Sequence, residues 1–184
     1  VCDFGGILNK IFMPDRNGKL DDINLGFDNV DVYAGGKSGS MGMLIGRVAN
    51  RIKGANFDLE GKTYNLPKNN LGNCLHGGTP GFGMRMWQAK PEEASNALVL
   101  TLVSEDGDQG FPGRVDVTVT YSLSENNELG IHYQARTDKT TIVSMTNHAY
   151  FNLDGHAFGT VAEQELQINA GLVTEVGEGL IPTG

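Results

Sequence analysis

The stretch Val115-Asp116-Val117-Thr118-Val119-Thr120-Tyr121-Ser122-Leu123 decides the fold. Its odd positions are apolar and its even positions are polar, which is the pattern of a half-buried antiparallel strand. Asn126-Asn127 follows as a turn signal, and the same alternation returns over residues 129–135. The sequence therefore predicts a β-hairpin with one face turned to a core.

Further strands are predicted on both sides of this hairpin. They are short, they are separated by turn residues, and no window has a 3.6-residue apolar period. Residues 28–41 have no periodicity and predict a surface loop. The expected fold is all-β, an antiparallel β-sandwich. The predicted strands are 4–13, 20–27, a hairpin of 55–59 and 62–66, 87–89, 97–103 and 165–170.

Composition excludes several classes of partner. The 184 residues carry 14 Lys+Arg against 22 Asp+Glu, a formal net charge of −8, so a nucleic-acid partner is not expected. No apolar run is long enough to predict a membrane span. The two cysteines, Cys2 and Cys74, are too few for a disulfide framework and predict free thiols in a reducing, cytoplasmic compartment.

Candidate chemistry is concentrated in residues 144–153, Ser-Met-Thr-Asn-His-Ala-Tyr-Phe-Asn-Leu. The segment follows the β-branched run 140–143 and ends at a turn signal, Asp154-Gly155. A titratable imidazole at the end of a strand, between aromatic rings and amides, suits binding a polar ring compound and moving its protons. A hydrogen-bonded core histidine is the competing interpretation of His148 taken alone.

Three other clusters accompany this segment. Asn50-Arg51 offers an amide and a fork of donors that suit sugar hydroxyls. In Leu75-His76-Gly77-Gly78 the glycines allow a sharp turn that leaves the imidazole accessible. Residues 106–113 are acidic and glycine-rich, but their spacing does not match an EF-hand, so they predict a structured turn.

The remaining histidines, His132 and His156, are predicted to lie on the surface. A metal site built from His148 and His156 would lack a third ligand at a recognisable spacing, so no metal is expected.

These clusters together resemble the aldose 1-epimerase (galactose mutarotase) family. Each motif is weak alone, but their order along the chain is specific. The matching stretches are residues 46–52, 73–78, 106–113 and 146–153, with smaller matches at 14–18 and 180–184.

The resemblance implies a β-sandwich with an open sugar-binding cleft, no metal or organic cofactor, and a monomeric or homodimeric protein. It implies interconversion of the α and β anomers of free hexoses such as galactose and glucose. By position, His148 resembles the general acid that serves the ring oxygen, and His76 the second catalytic histidine, which binds and polarises the sugar. Asn50 and Arg51 resemble hydroxyl ligands, and Tyr150 a wall of the cleft.

The sequence also departs from the family pattern. The family's base is a glutamate far toward the C-terminus, preceded by a sugar-binding aspartate, and both would fall beyond Gly184. The loop 38–42 lacks the aromatic residue that family members often carry, and Gly83-Met84 stands where an Asp-Lys pair is common. Residues 1–184 are therefore expected to be a single sandwich domain without its first strands and C-terminal part, and to have little or no turnover.

Three alternatives stay open at this stage. A hexose-6-phosphate 1-epimerase would need a basic cluster for the phosphate. A non-catalytic carbohydrate-binding module could use the same scaffold without turnover, and a structural β-domain would bind no sugar.

Overall fold

A four-stranded antiparallel sheet forms the centre of the computed structural model, which describes residues 1–183. Gly184, the last residue of the terminal family match, lies outside the described residues. The sheet has the order β11-β10-β9-β8, with β8 at Gln88–Glu92, β9 at Ala97–Ser104, β10 at Val115–Leu123 and β11 at Leu129–Thr137. The predicted hairpin is confirmed, and the strand predicted at 97–103 corresponds to β9.

The other strands are short and pair in twos. A five-residue helix, α1, spans Val30–Ala34 and begins at Asn29, whose side chain accepts a hydrogen bond from the Asp31 amide. The described residues contain little helix, and the strands named here all pair antiparallel, so the all-β prediction is confirmed. The short strands are β1 (Phe12–Pro14), β2 (Leu20–Asp22), β3 (Leu44–Ile45), β4 (Arg51–Ile52), β5 (Asn56–Leu59), β6 (Lys62–Asn65), β7 (Cys74–Leu75) and β12 (Thr146–Asn147).

The main core lies on the apolar face of β10. Val115, Val117 and Val119 are buried there together with Leu100 of β9, and they pack with other apolar residues from within and outside the sheet. Burying each such side chain contributes about 1.5–3 kcal/mol, so the strict alternation of β10 fixes which face turns inward. The packing partners are Leu8, Leu44, Phe82, Trp87 and Tyr121.

Tyr121 connects this core to the rest of the chain. Its hydroxyl donates to the Gly6 carbonyl at 3.0 Å and accepts a hydrogen bond from the Asn147 side-chain amide, also at 3.0 Å. Asn147 Nδ2 additionally donates to the Gly42 carbonyl at 2.8 Å. Asn147, the residue next to His148, is thereby fixed against the sheet.

Several sequence predictions are wrong in detail. Residues 4–13 are not one strand: β1 begins only at Phe12, and Ile7 and Leu8 are buried outside regular strands. Residues 165–170 form no strand, because no other described segment pairs with them. The strand predicted at 20–27 is limited to β2.

The loop predicted at 28–41 is partly buried. It contains α1, and both Tyr33 and Ser38 are enclosed. Tyr33 is held by a hydrogen bond from its hydroxyl to Asn9 Oδ1, at 2.9 Å, which no sequence period could indicate. Cys2 and Cys74 are free thiols, as predicted. Among residues 1–183, no helix has both the length and the apolar character to cross a membrane.

Candidate active site

The candidate site is an open cleft of about 560 Å³ at which segments distant in sequence meet. β3 pairs with β12, and β4 pairs with β7, so residues that follow or precede these short strands are brought side by side. His76, His148, Asn50, Arg51 and Tyr150 all line it. The structure therefore brings together the five site residues predicted from the sequence.

Asn50 and His76 are locked to each other. The His76 amide donates to the Asn50 carbonyl at 2.9 Å, and the Asn50 amide donates to His76 Nδ1 at 3.1 Å. Both residues have positive φ, 59° and 55°, a conformation that is uncommon outside glycine and that Asn and His adopt more often than most residues. Because Nδ1 is an acceptor, the proton of the neutral ring is assigned to Nε2, which leaves an N–H donor for a ligand.

Gly77 is required for this placement. A Cβ atom built there would lie 2.1 Å from the Gly46 carbonyl oxygen, and the φ of Gly77 is +79°. No side chain fits at this close approach between the two backbones. The sequence prediction that glycine permits the sharp turn after His76 is confirmed.

His148 lies between His76 and Tyr150. The His76 and His148 rings meet edge to face with their centroids 5.1 Å apart, and the Tyr150 ring stacks on His148 at 5.0 Å. The backbone of His148 is fixed by two hydrogen bonds of 2.9 Å each. Its N–H donates to the Met43 carbonyl, and its C=O accepts from the Gly42 amide. An imidazole is thus presented between two rings at the edge of the cleft.

Electrostatics keep His76 neutral. Burial lowers the pKa of His76 to about 4, and positive charge on His148 and on Arg51 lowers it in the same direction. Because the pKa of His76 lies below its ordinary value of 6.5, the ring is uncharged at neutral pH. His76 is therefore suited to donate a hydrogen bond rather than to carry a charge.

Arg51 is held in one orientation from two sides. Its Nε donates to Asn70 Oδ1 at 3.0 Å, and its Nη1 donates to Asn50 Oδ1 at 3.1 Å. The two amides pre-orient the guanidinium fork, and Arg51 lines the cleft, so it can bind a ligand there at low entropic cost.

Other cleft residues were not singled out in the sequence. Ser40 and Thr146 line the cleft, and Asn70 orients Arg51. Ser40 lies in a loop and Thr146 in β12, and small hydroxyl residues are common in both settings, so no local signal marks them. His132 and His156 are exposed, as predicted, and neither lines the cleft.

The turn at residues 106–113 has a structural role, as expected. Asp106 accepts a hydrogen bond from the Gly113 amide at 2.6 Å, and Asp108 forms a salt bridge with Arg85 at 2.6 Å. The turn also surrounds the buried guanidinium of Arg47, which donates to the carbonyls of Glu105 and Pro112, both at 2.8 Å.

Fold and site define an antiparallel β-protein with an open cleft lined by histidines. The family model for aldose 1-epimerase matches residues 1–184, and the chain belongs to this family. The galactose mutarotase of Bos taurus is 40% identical over 184 residues, which are 100% of this chain and 53% of that protein. The aldose 1-epimerase of Escherichia coli (strain K12) is 39% identical over 182 residues, 99% of this chain and 52% of that protein.

A solved structure shows the same architecture. The crystal structure of a GalM/aldose epimerase homologue from C. elegans superposes with a TM-score of 0.92 at 38% identity, covering 99% of this chain and 55% of that one. The chain spans about half the length of the relatives it matches.

Proposed function

We propose that the protein interconverts the α and β anomers of free hexoses such as galactose and glucose. One observation carries the proposal: His76 and His148, far apart in sequence, meet at 5.1 Å in a cleft that also contains a pre-oriented Arg51. The similarity to a galactose mutarotase and to an aldose 1-epimerase supports the same reaction class.

The reaction needs an acid and a base that reverse their roles. A base takes the proton of the anomeric hydroxyl while an acid protonates the ring oxygen, the ring opens, the aldehyde carbon rotates, and closure gives the other anomer. Histidine can give and retake a proton near neutral pH. We assign the acid to His148, because it lies in the cleft between His76 and Tyr150.

His76 has a different role in this scheme. Its ring is neutral and its Nδ1 is occupied by the Asn50 amide, so Nε2–H is available to polarise a sugar oxygen. Arg51 and Asn50 bind hydroxyls, and Tyr150 forms one wall of the cleft.

The base is not among the described residues of the cleft. No Asp or Glu lines it in residues 1–183, although anomerisation needs a group that accepts the hydroxyl proton. We therefore propose that residues 1–184 are part of one mutarotase-like sandwich domain, and that a carboxylate from outside them completes the site. Without one member of the acid–base pair, turnover falls by about 10²–10⁴-fold.

The test is polarimetry of freshly dissolved α-galactose. It uses the 184-residue chain and, where the gene product is longer, that product, each with the variants His148→Ala and His132→Ala. His132 is an exposed histidine outside the cleft and serves as the matched control. In the active protein, His148→Ala should slow mutarotation by about 10²–10⁴-fold while His132→Ala leaves it unchanged.

Two results contradict parts of the proposal. Equal rates for both variants would remove His148 from the chemistry. Rapid mutarotation by the 184-residue chain alone would show that a carboxylate from elsewhere is not required.

A second candidate is a non-catalytic sugar-binding module, favoured by the lack of a carboxylate in the cleft among residues 1–183. It predicts saturable galactose binding without turnover in every form of the protein, whereas an enzyme loses turnover on His148→Ala and keeps part of its binding. Parallel titration with galactose 6-phosphate tests the hexose-6-phosphate 1-epimerase, which would need a basic cluster for the phosphate. Arg51 is the one Lys or Arg that lines the described cleft.

A further inference from the structure

The turn that carries His76 has an uncommon backbone conformation. His76, Gly77 and Gly78 have φ of 55°, 79° and 95°, so three consecutive residues lie in the left-handed region. The pairing of β7 with β4 ends at Leu75, immediately before the imidazole. The position of His76 therefore depends on contacts that reach this turn from outside it.

Asn69 bonds to both ends of the turn. Its Oδ1 accepts a hydrogen bond from the Leu75 amide at 2.7 Å, and its Nδ2 donates to the Leu75 carbonyl at 3.0 Å and to Thr79 Oγ1 at 3.2 Å. The backbone donor and acceptor of Leu75 decide which side of the Asn69 amide is oxygen. For Leu75 the amide replaces a neighbouring strand, and it also reaches Thr79 beyond the glycines.

Asn69 belongs to a loop that is itself fixed. The Asn70 amide donates to the Asn73 carbonyl at 3.1 Å, and the Asn73 amide donates back to the Asn70 carbonyl at 2.8 Å. Asn73 is 7% exposed, and its Oδ1 accepts a hydrogen bond from the Gly54 amide at 2.9 Å. This loop therefore supports Arg51 through Asn70, and the histidine turn through Asn69.

Asn69 does not line the cleft, whereas His76 does. It therefore acts on a sugar bound there only through the turn that carries the imidazole. A displacement of about 1 Å in a group that handles a reacting atom can lower the rate about 100-fold. Hydrogen bonds that fix this turn thus affect the reaction without any contact to the sugar.

We propose that Asn69 is a positioning residue for His76, whose imidazole it keeps in the cleft beside His148. Asn50 fixes the ring through Nδ1, and Asn69 fixes the backbone that carries the ring. The inference rests on the proposed function, because the position of His76 matters for catalysis only if His76 takes part in the reaction.

NMR titration of His76 in the 184-residue chain tests the positioning directly. In Asn69→Ala the pKa of His76 should rise from about 4 toward 6.5, because the released ring becomes less buried. Asn56→Ala is the matched control and should leave the titration unchanged. Asn56 is exposed like Asn69, its Nδ2 donates to the Gly54 carbonyl at 3.1 Å, and it does not line the cleft.

Kinetics of the active form of the protein separate positioning from a general loss of structure. Asn69→Ala should lower kcat for mutarotation by about 10- to 100-fold and change KM less. On a His76→Gln background the same substitution should lower kcat by less than about twofold, because a residue that acts through His76 then has nothing to position. Losses that multiply in the double variant would overturn the inference in favour of an independent structural role.

The remaining outcomes separate the two proposals. A folded Asn69→Ala variant with an unchanged His76 titration overturns the positioning role alone. If Asn69→Ala does not fold, Thr79→Val removes the acceptor of one Asn69 hydrogen bond and is judged by the same measurements. A shifted titration without mutarotation in any form of the protein overturns the proposed function, and with it the part of Asn69 in the reaction.

Discussion

The central sheet and the cleft are built in opposite ways. In the sheet, β8 to β11 are joined in sequence order, each strand pairing with the next over five to nine residues, as with Val115–Leu123 against Leu129–Thr137. At the cleft, each paired strand is only two residues long and its partner comes from a distant segment, as with Leu44–Ile45 against Thr146–Asn147. The sheet is specified by local alternation, whereas the cleft depends on contacts that form only when the whole chain is folded.

Arg47 joins the two regions. Its guanidinium donates to Ser104 Oγ at the end of β9, at 2.9 Å, and to the turn that follows. Its backbone lies between β3 and β4, where the Gly46 carbonyl accepts the Phe82 amide at 3.2 Å. If the sheet and the cleft depend on each other, Arg47 is the residue through which they do so.

The largest effect is expected from Arg47→Met. The substitution removes the guanidinium that donates to the buried carbonyls of Ser104 and Pro112, whereas the Glu105 carbonyl keeps the Asp108 amide as a donor. The free energy of unfolding should fall by about 3–5 kcal/mol, measured by urea denaturation. Arg136→Met, on an exposed position of β11, is the control. Equal destabilisation of the two variants would rule out Arg47 as the connection.

Leu100→Ala addresses the sheet alone. Leu100 is fully buried against β10, and its truncation should lower the free energy of unfolding by about 2–5 kcal/mol. Leu123→Ala, at a position 48% exposed on the neighbouring strand, should cost far less. Galactose affinity of the folded Leu100→Ala protein should be unchanged; a loss of affinity under native conditions would show that sheet packing directly sets the geometry of the cleft.

The smallest effect on stability is expected from the protonation of His76, which concerns the cleft alone. NMR titration of the His76 ring should give a midpoint near pH 4, because burial lowers the pKa of His76 from its ordinary value of 6.5. Between these pH values the unfolded chain binds a proton that the folded chain does not. Stability contributed by the neutral ring is therefore present above pH 6.5 and is lost as the pH falls toward 4.

His76→Gln supplies the control for that titration. Its unfolding free energy should lack the part of the pH dependence between pH 4 and 6.5 that belongs to His76. A His76 midpoint at or above 6.5 would mean that the ring is open to water and carries a charge near neutral pH.

How far the sequence predicts the structure depends on the distance over which each feature is encoded. The hairpin of β5 and β6 was predictable to within one residue at its outer ends, because its two alternating strands flank Glu60-Gly61. Residues 165–170 have strand-like composition but no described pairing partner, so composition alone gave a wrong prediction. Tyr33 is buried through a hydrogen bond to Asn9, which lies outside any local window.

The amino-acid sequence by itself determined the antiparallel hairpins, through the period-two alternation of apolar residues, and supplied the imidazoles, amides and guanidinium of the cleft. Only the tertiary structure decided that His76 and His148 share one cleft, that burial lowers the pKa of His76, and that its Nδ1 accepts the Asn50 amide. The physical reason is that burial, ring packing and the Asn50 hydrogen bond all arise from contacts between segments that are remote in the chain.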